Sequence, residues 1–87
     1  GFDKNADVID GLTKIGFGFI EIGSVTLHPW AGNPRPRIKR FESDEAIVNH
    51  MGLPSKGVNY VISRLKSRKT DIPILGNIAV TPGQKQA

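Results

Sequence analysis

Gly16-Phe17-Gly18-Phe19-Ile20-Glu21-Ile22-Gly23-Ser24-Val25-Thr26 is the stretch on which the fold turns. From Phe17 to Val25 it is rich in β-branched and aromatic residues, and the near-continuous Phe19-Ile20-Glu21-Ile22 suits a strand covered on both faces, as parallel strands are. A lone Glu21 in such a strand needs a partner. Immediately before it, Ile9, Leu12 and Ile15 recur at intervals of three. This predicts a short amphipathic helix over residues 6 to 15, with Asn5 or Asp7 available as N-cap and Gly16 placed to stop it.

After the strand, Thr26 to Arg37 carries Pro29, Pro34 and Pro36 with Gly32 and Asn33. That composition excludes helix and predicts a long, turn-rich excursion, the kind of loop that often forms a lid or binding edge. Ile38 to Phe41 reads as a short strand pairing within it, and Ser43 or Asp44 as the cap of a helical turn reaching Val48. Asn49-His50-Met51-Gly52-Leu53-Pro54 reads as loop. Val58, Val61, Ile62 and Leu65 then follow the i, i+3, i+4, i+7 pattern of a helix, with Ser55 ahead as a candidate cap and basic residues in the last turns to complement the helix dipole. Ile72 to Val80 resembles a second buried strand, interrupted by Gly76 and Asn77, and residues 81–87 read as a loose polar tail. The order helix, strand, excursion, helix, strand implies an α/β fold with a parallel sheet and right-handed crossovers.

Eighty-seven residues amount to at most one small domain, and 38% hydrophobic with 23% charged residues argues against wholesale disorder. Without cysteine there is neither a disulfide framework nor a thiolate site, and His28 and His50 lack a recognised ligand spacing, so no metal site is expected. No apolar run reaches the roughly 20 residues of a membrane span. The net charge of +4 comes mainly from Arg35, Arg37, Lys39, Arg40 and from Arg64, Lys66, Arg68, Lys69. Such clusters are most often solvated faces. They also leave open an alternative, a small basic module binding phosphates or nucleic acid.

The opening Gly1-Phe2-Asp3-Lys4-Asn5 sits where a strand should hand over to a helix, so residue 1 reads as an interior position of a longer protein, just past a strand. Lys4 would then lie at the carboxyl rim of the sheet, where α/β folds hold their ligands, although a lysine beside Asp3 also fits a surface ion pair. Gly23-Ser24 offers a close backbone approach and a hydroxyl at the same rim. Asn77 inside an apolar strand would need partners for both its amide oxygen and its nitrogen. That need is met equally by backbone or by a ligand.

Four stretches in order carry a family resemblance: Gly1 to Ala6, Gly16 to Thr26, Gly32-Asn33-Pro34-Arg35-Pro36-Arg37, and Asn49-His50-Met51-Gly52. Together they resemble dihydroorotate dehydrogenase from residue 1 to about 80, and the first 40 residues favour the quinone-using class. That resemblance implies a (β/α)₈ TIM barrel with flavin mononucleotide (FMN) at its carboxyl rim. Residues 1–87 would form one partial domain running from the end of the first barrel strand to the third, with a hairpin-like insertion. By position, Gly1, Lys4, Ser24 and Asn77 would contact FMN, while Lys4, Asn49, His50, Met51, Gly52 and Leu53 would contact dihydroorotate. The catalytic base would lie on later strands, beyond residue 87. The implied partners are dihydroorotate and orotate, with a quinone as electron acceptor, no nucleic acid, and peripheral membrane association through segments outside this span. Leu53-Pro54-Ser55 stands where the quinone-using class usually has Phe-Asn-Asn and resembles the soluble class, and Ala79 replaces an expected glycine.

Overall fold

The computed structural model describes residues 2–83, in the order α1 (Ile9–Ile15), β1 (Ile20–Val25), β2 (Ile38–Phe41), a 3₁₀ turn (Glu42–Asp44), β3 (Ala46–Asn49), α2 (Val58–Ser67) and β4 (Ile74–Ile78). β1 and β4 pair in parallel, and β2 and β3 pair antiparallel as a separate hairpin. Parallel pairing needs a crossover, and here the crossover is the whole of residues 26 to 73, hairpin and α2 included.

One core ties the two helices to the sheet. Ala6, Ile9 and Leu12 from the α1 side, Ile20, Ile22 and Val25 from β1, and Val61 from α2 are buried together, with Val58, Leu65, Ile72 and Ile74 packed around them. Among the described residues β1 alternates: Ile20 and Ile22 are buried, while Glu21 between them is exposed. Among the described residues the Glu21 side chain has no hydrogen-bond or ion-pair partner. β4, among the described residues, has Ile78 85% exposed and Asn77 in the open. Its sequence is apolar enough for an interior position, but among the described residues it is an edge strand with one covered side. Of the α2 stripe, Val61 is buried and Val58 and Leu65 are partly so, whereas Ile62 is exposed.

Both helix starts differ from expectation. α1 begins at Ile9, and neither Asn5 nor Asp7 caps it. The buried carboxylate of Asp3 instead accepts the N–H groups of Asp7 at 2.6 Å and Val8 at 2.9 Å, holding the turn that leads into the helix. Gly16 does end α1, at φ 111°, donating its N–H to the Thr13 carbonyl. α2 starts after Gly57, while the expected cap Ser55 is buried, its hydroxyl oxygen accepting the N–H groups of Thr26 and Gly57. Trp30 and Ser55 exchange both backbone hydrogen bonds at 2.8 Å, closing the excursion at its base.

The segment read as a helical turn through Val48 is a hairpin. Only Glu42–Asp44 turns, and Ile47 and Val48, both β-branched, pair with Arg40 and Lys39. Asn49, expected in a loop, is the last residue of β3, opposite Ile38. Thr81, expected in a loose tail, is buried and its hydroxyl oxygen accepts the His28 N–H at 3.2 Å.

Candidate functional site

The carboxyl ends of β1 and β4 meet at a β-bulge. Ile22 stands opposite Gly76 and Val25 opposite Ile78, so Gly23 and Ser24 together face Asn77. Gly23 has φ 114°, and a Cβ there would collide with the Asn77 carbonyl oxygen. Only glycine admits this approach. The bulge turns Ser24 toward the neighbouring strand, and its hydroxyl donates to Asn77 Oδ1 at 2.5 Å. The Asn77 amide nitrogen keeps its donors free of that contact, on an exposed residue.

Lys4 joins the same rim through its backbone. Its carbonyl accepts the Gly23 N–H at 3.0 Å. Ile20 donates its N–H to Pro73, on the β4 side, and successive residues of a strand direct their N–H groups to opposite sides. Gly23, an odd number of residues on, therefore binds the Lys4 segment on the other side of β1. The order across the rim is Lys4, then Gly23-Ser24, then Asn77. Lys4 is half-buried, and desolvation pushes its ammonium below the usual lysine value. It forms no ion pair with Asp3 among the described residues, because the Asp3 carboxylate is turned inward onto backbone N–H groups.

The turn bearing Lys4 is pinned on both flanks. The Asn5 side chain accepts the Lys56 N–H at 3.0 Å. The Asp7 carboxylate accepts the Tyr60 hydroxyl and lies 3.6 Å from Lys56 Nζ and 3.8 Å from Arg64 Nε. The Tyr60 hydroxyl and the Asp7 carboxylate hold the Lys56 ammonium above its ordinary value.

Residues 49–53 lie at the exit of the hairpin and form a second cluster. His50 donates its N–H to the Arg37 carbonyl at 2.8 Å, and the Met51 carbonyl accepts the Asn33 N–H at 2.8 Å. Asn49 and His50 are exposed, Met51 and Gly52 half-buried, and Leu53 takes φ 59°, a left-handed conformation rare for a γ-branched residue. Three residues past Leu53, Lys56 donates its N–H to Asn5 of the Lys4 turn. Among the described residues no hydrogen bond joins it directly to Ser24 or Asn77. Gly1 lies outside the described residues.

Three of the arginines hold backbone carbonyls of this chain. Arg37 Nη1 donates to the carbonyls of Ala31 and Asn33, Arg64 to that of Asp7, and Arg68 to that of Leu65. Sequence reasoning missed Asp3, whose acidic character beside Lys4 pointed to a surface pair. Its position four and five residues before the N–H groups it accepts is the signal that could have identified it.

A hydroxyl and an amide paired at the carboxyl ends of a parallel strand pair, with the Lys4 backbone bonded beside them, define an α/β protein with a polar rim. The comparisons narrow that class. The family model described as dihydroorotate dehydrogenase matches residues 1–85. "Dihydroorotate dehydrogenase (quinone)" of Bradyrhizobium sp. strain BTAi1 is 55% identical over 76 residues, covering 87% of this chain and 21% of that protein. The protein of the same name from Rhodopseudomonas palustris strain BisB5 is 54% identical over the same coverage. A crystal structure of DHODH from Eimeria tenella in complex with ferulenol superimposes with TM-score 0.85 at 37% identity, over 99% of this chain and 25% of that one. The chain belongs to the dihydroorotate dehydrogenase family. It spans about a fifth of the length of the curated relatives it matches.

Proposed function

We propose that these residues form part of the cofactor and substrate rim of an FMN-dependent enzyme that oxidises dihydroorotate to orotate in pyrimidine biosynthesis. In this reading they occupy the first three strand positions of a (β/α)₈ barrel, completed by segments beyond this span. The observation that carries it is the Ser24–Asn77 pair at the carboxyl ends of β1 and β4, with the Lys4 turn hydrogen-bonded alongside through Gly23, a glycine that nothing larger can replace.

The residues fit a flavin by their donor set. Asn77 offers amide donors, Ser24 a hydroxyl oxygen and Lys4 a cation, which suits the hydrogen-bonding edge of a flat heteroaromatic ring that gains negative charge on reduction. Bound FMN supplies a two-electron acceptor. Lys4 also reaches toward the anionic carboxylate of the substrate, and its partial desolvation strengthens both attractions. The Asn49 amide reads donor and acceptor groups of the pyrimidine ring, with His50, Met51, Gly52 and Leu53 closing around it. Oxidation removes two hydrogens from dihydroorotate, one with its electron pair and one as a proton. The base that takes the proton is assigned to later strands of the barrel.

The relatives' names support a quinone as the final electron acceptor. Peripheral membrane attachment, in this reading, belongs to parts of the whole protein outside these residues. No helix among the described residues is long and apolar enough to cross a membrane.

The test is purification of the full-length protein carrying these residues, followed by anaerobic addition of dihydroorotate. The proposal expects retained flavin absorbance that bleaches with the substrate and returns with a soluble quinone. Absence of flavin, together with no consumption of dihydroorotate when FMN and quinone are supplied, would overturn it.

A further inference from the structure

Asn33 lies outside the residues assigned to flavin or substrate, yet it makes the most specific contacts with the 49–53 segment. Its backbone N–H donates to the Met51 carbonyl and its Nδ2 donates to the His50 carbonyl, both at 2.8 Å. Two consecutive carbonyls of the segment are thus held by one residue. The fit around this latch is close on both sides. Gly52 has φ 78°, and a Cβ there would stand 2.5 Å from the Asn33 side chain; Gly32 has φ 84°, and a Cβ there would stand 2.5 Å from the Met51 carbonyl oxygen. Arg37 closes the arrangement, its guanidinium donating to the Asn33 carbonyl at 3.2 Å while its own carbonyl accepts the His50 N–H.

We infer that Asn33 is a positioning residue that sets the conformation of residues 49–53 and thereby the affinity for the pyrimidine substrate, without touching it. The inference rests on the assignment of that segment to substrate binding. A hairpin exit whose residues are mostly exposed has little packing of its own to define it, so its shape depends on directional hydrogen bonds. The two glycines matter because they let the Asn33 segment and the 51–52 backbone come within hydrogen-bonding reach.

The chemistry distinguishes this role from space filling. Aspartate has nearly the volume of asparagine but, ionised, offers only acceptors, so it would face the His50 carbonyl oxygen with a second oxygen. In the full-length holoenzyme, Asn33→Ala is expected to raise the KM for dihydroorotate about fivefold, the scale of one lost hydrogen bond, with little change in kcat or in retained FMN. Asn33→Asp should raise KM further than Asn33→Ala. Orotate titrations followed by the flavin spectrum should give dissociation constants in the same order.

Asn49→Ala serves as the reference. If it raises KM while Asn33→Ala and Asn33→Asp leave KM and orotate affinity unchanged, the latch is refuted and the substrate assignment stands. If Asn49→Ala has no effect either, the substrate assignment itself fails. Asn33→Asp being milder than Asn33→Ala would identify packing, rather than hydrogen bonding, as the contribution of Asn33 and would overturn the inference.

Discussion

The Ser24 hydroxyl donates to Asn77 Oδ1 at 2.5 Å across two parallel strands, 53 residues apart in sequence. The bond fixes which end of the Asn77 amide remains available, since with its oxygen engaged the residue presents N–H donors at the rim. If Asn77 reads an acceptor edge of FMN, Ser24 contributes partly by orienting it. Asn77→Ala in the full-length protein should weaken FMN binding by about tenfold, and Ser24→Ala by less. Because the two residues touch, their effects should be non-additive by about 0.5 kcal/mol or more, measurable by flavin fluorescence titration of both single variants and the double variant. Strict additivity would mean the bond has no bearing on the cofactor.

Gly23→Ala tests the bulge. The substitution adds one methyl group directly against the Asn77 carbonyl oxygen at a φ of 114°. Backbone strain alone should cost about 1–3 kcal/mol, and separation of the strands would add to that. Loss of both thermal stability and FMN retention is expected, whereas Gly18→Ala, where nothing lies within 4 Å of the added Cβ, should retain both. Equal behaviour of the two variants would remove the structural argument for the bulge.

The partial burial of Lys4 gives a pH prediction. Desolvation lowers its pKa from the ordinary 10.5, so the cation is lost at a lower pH than for an exposed lysine. Orotate affinity should therefore fall as pH rises through that lowered value, and the step should vanish in Lys4→Met. For stability the sign is opposite. The unfolded chain binds the proton more tightly, so folding becomes more favourable as pH rises through the interval between the lowered value and 10.5. Isothermal titration of orotate at several pH values checks the first effect, and urea unfolding checks the second.

Local pattern carried much of this architecture. The Ile9, Leu12 spacing with Gly16, the β-branched run of β1, and the Val58, Val61, Leu65 stripe each reflect the period of one element, and each element formed. β3 escaped because Glu42-Ser43-Asp44 does begin a turn, and the four-residue strand after it is stabilised by pairing with β2, which no local window contains. Glu21 shows the limit of a local window, because a strand exposed on one side and a strand covered on both can each contain an apolar run interrupted by one charge. The roles of Asp3, Ser55 and Asn33 depend on backbone groups brought to them by turns, so composition alone did not identify them. At Asn77 the sequence left a backbone partner and a ligand equally able to satisfy the amide, and the structure gives its oxygen the Ser24 hydroxyl, which no local window contains.

The central claim is that Lys4 stands at the reacting rim, and anaerobic stopped-flow reduction of the FMN-loaded, full-length protein by dihydroorotate tests it most directly. Lys4→Ala should slow flavin reduction at saturating substrate by about 10²–10³-fold, the scale of losing one preorganised electrostatic contact. Comparison should be made at equal FMN occupancy. An unchanged reduction rate in Lys4→Ala at equal occupancy would contradict the account.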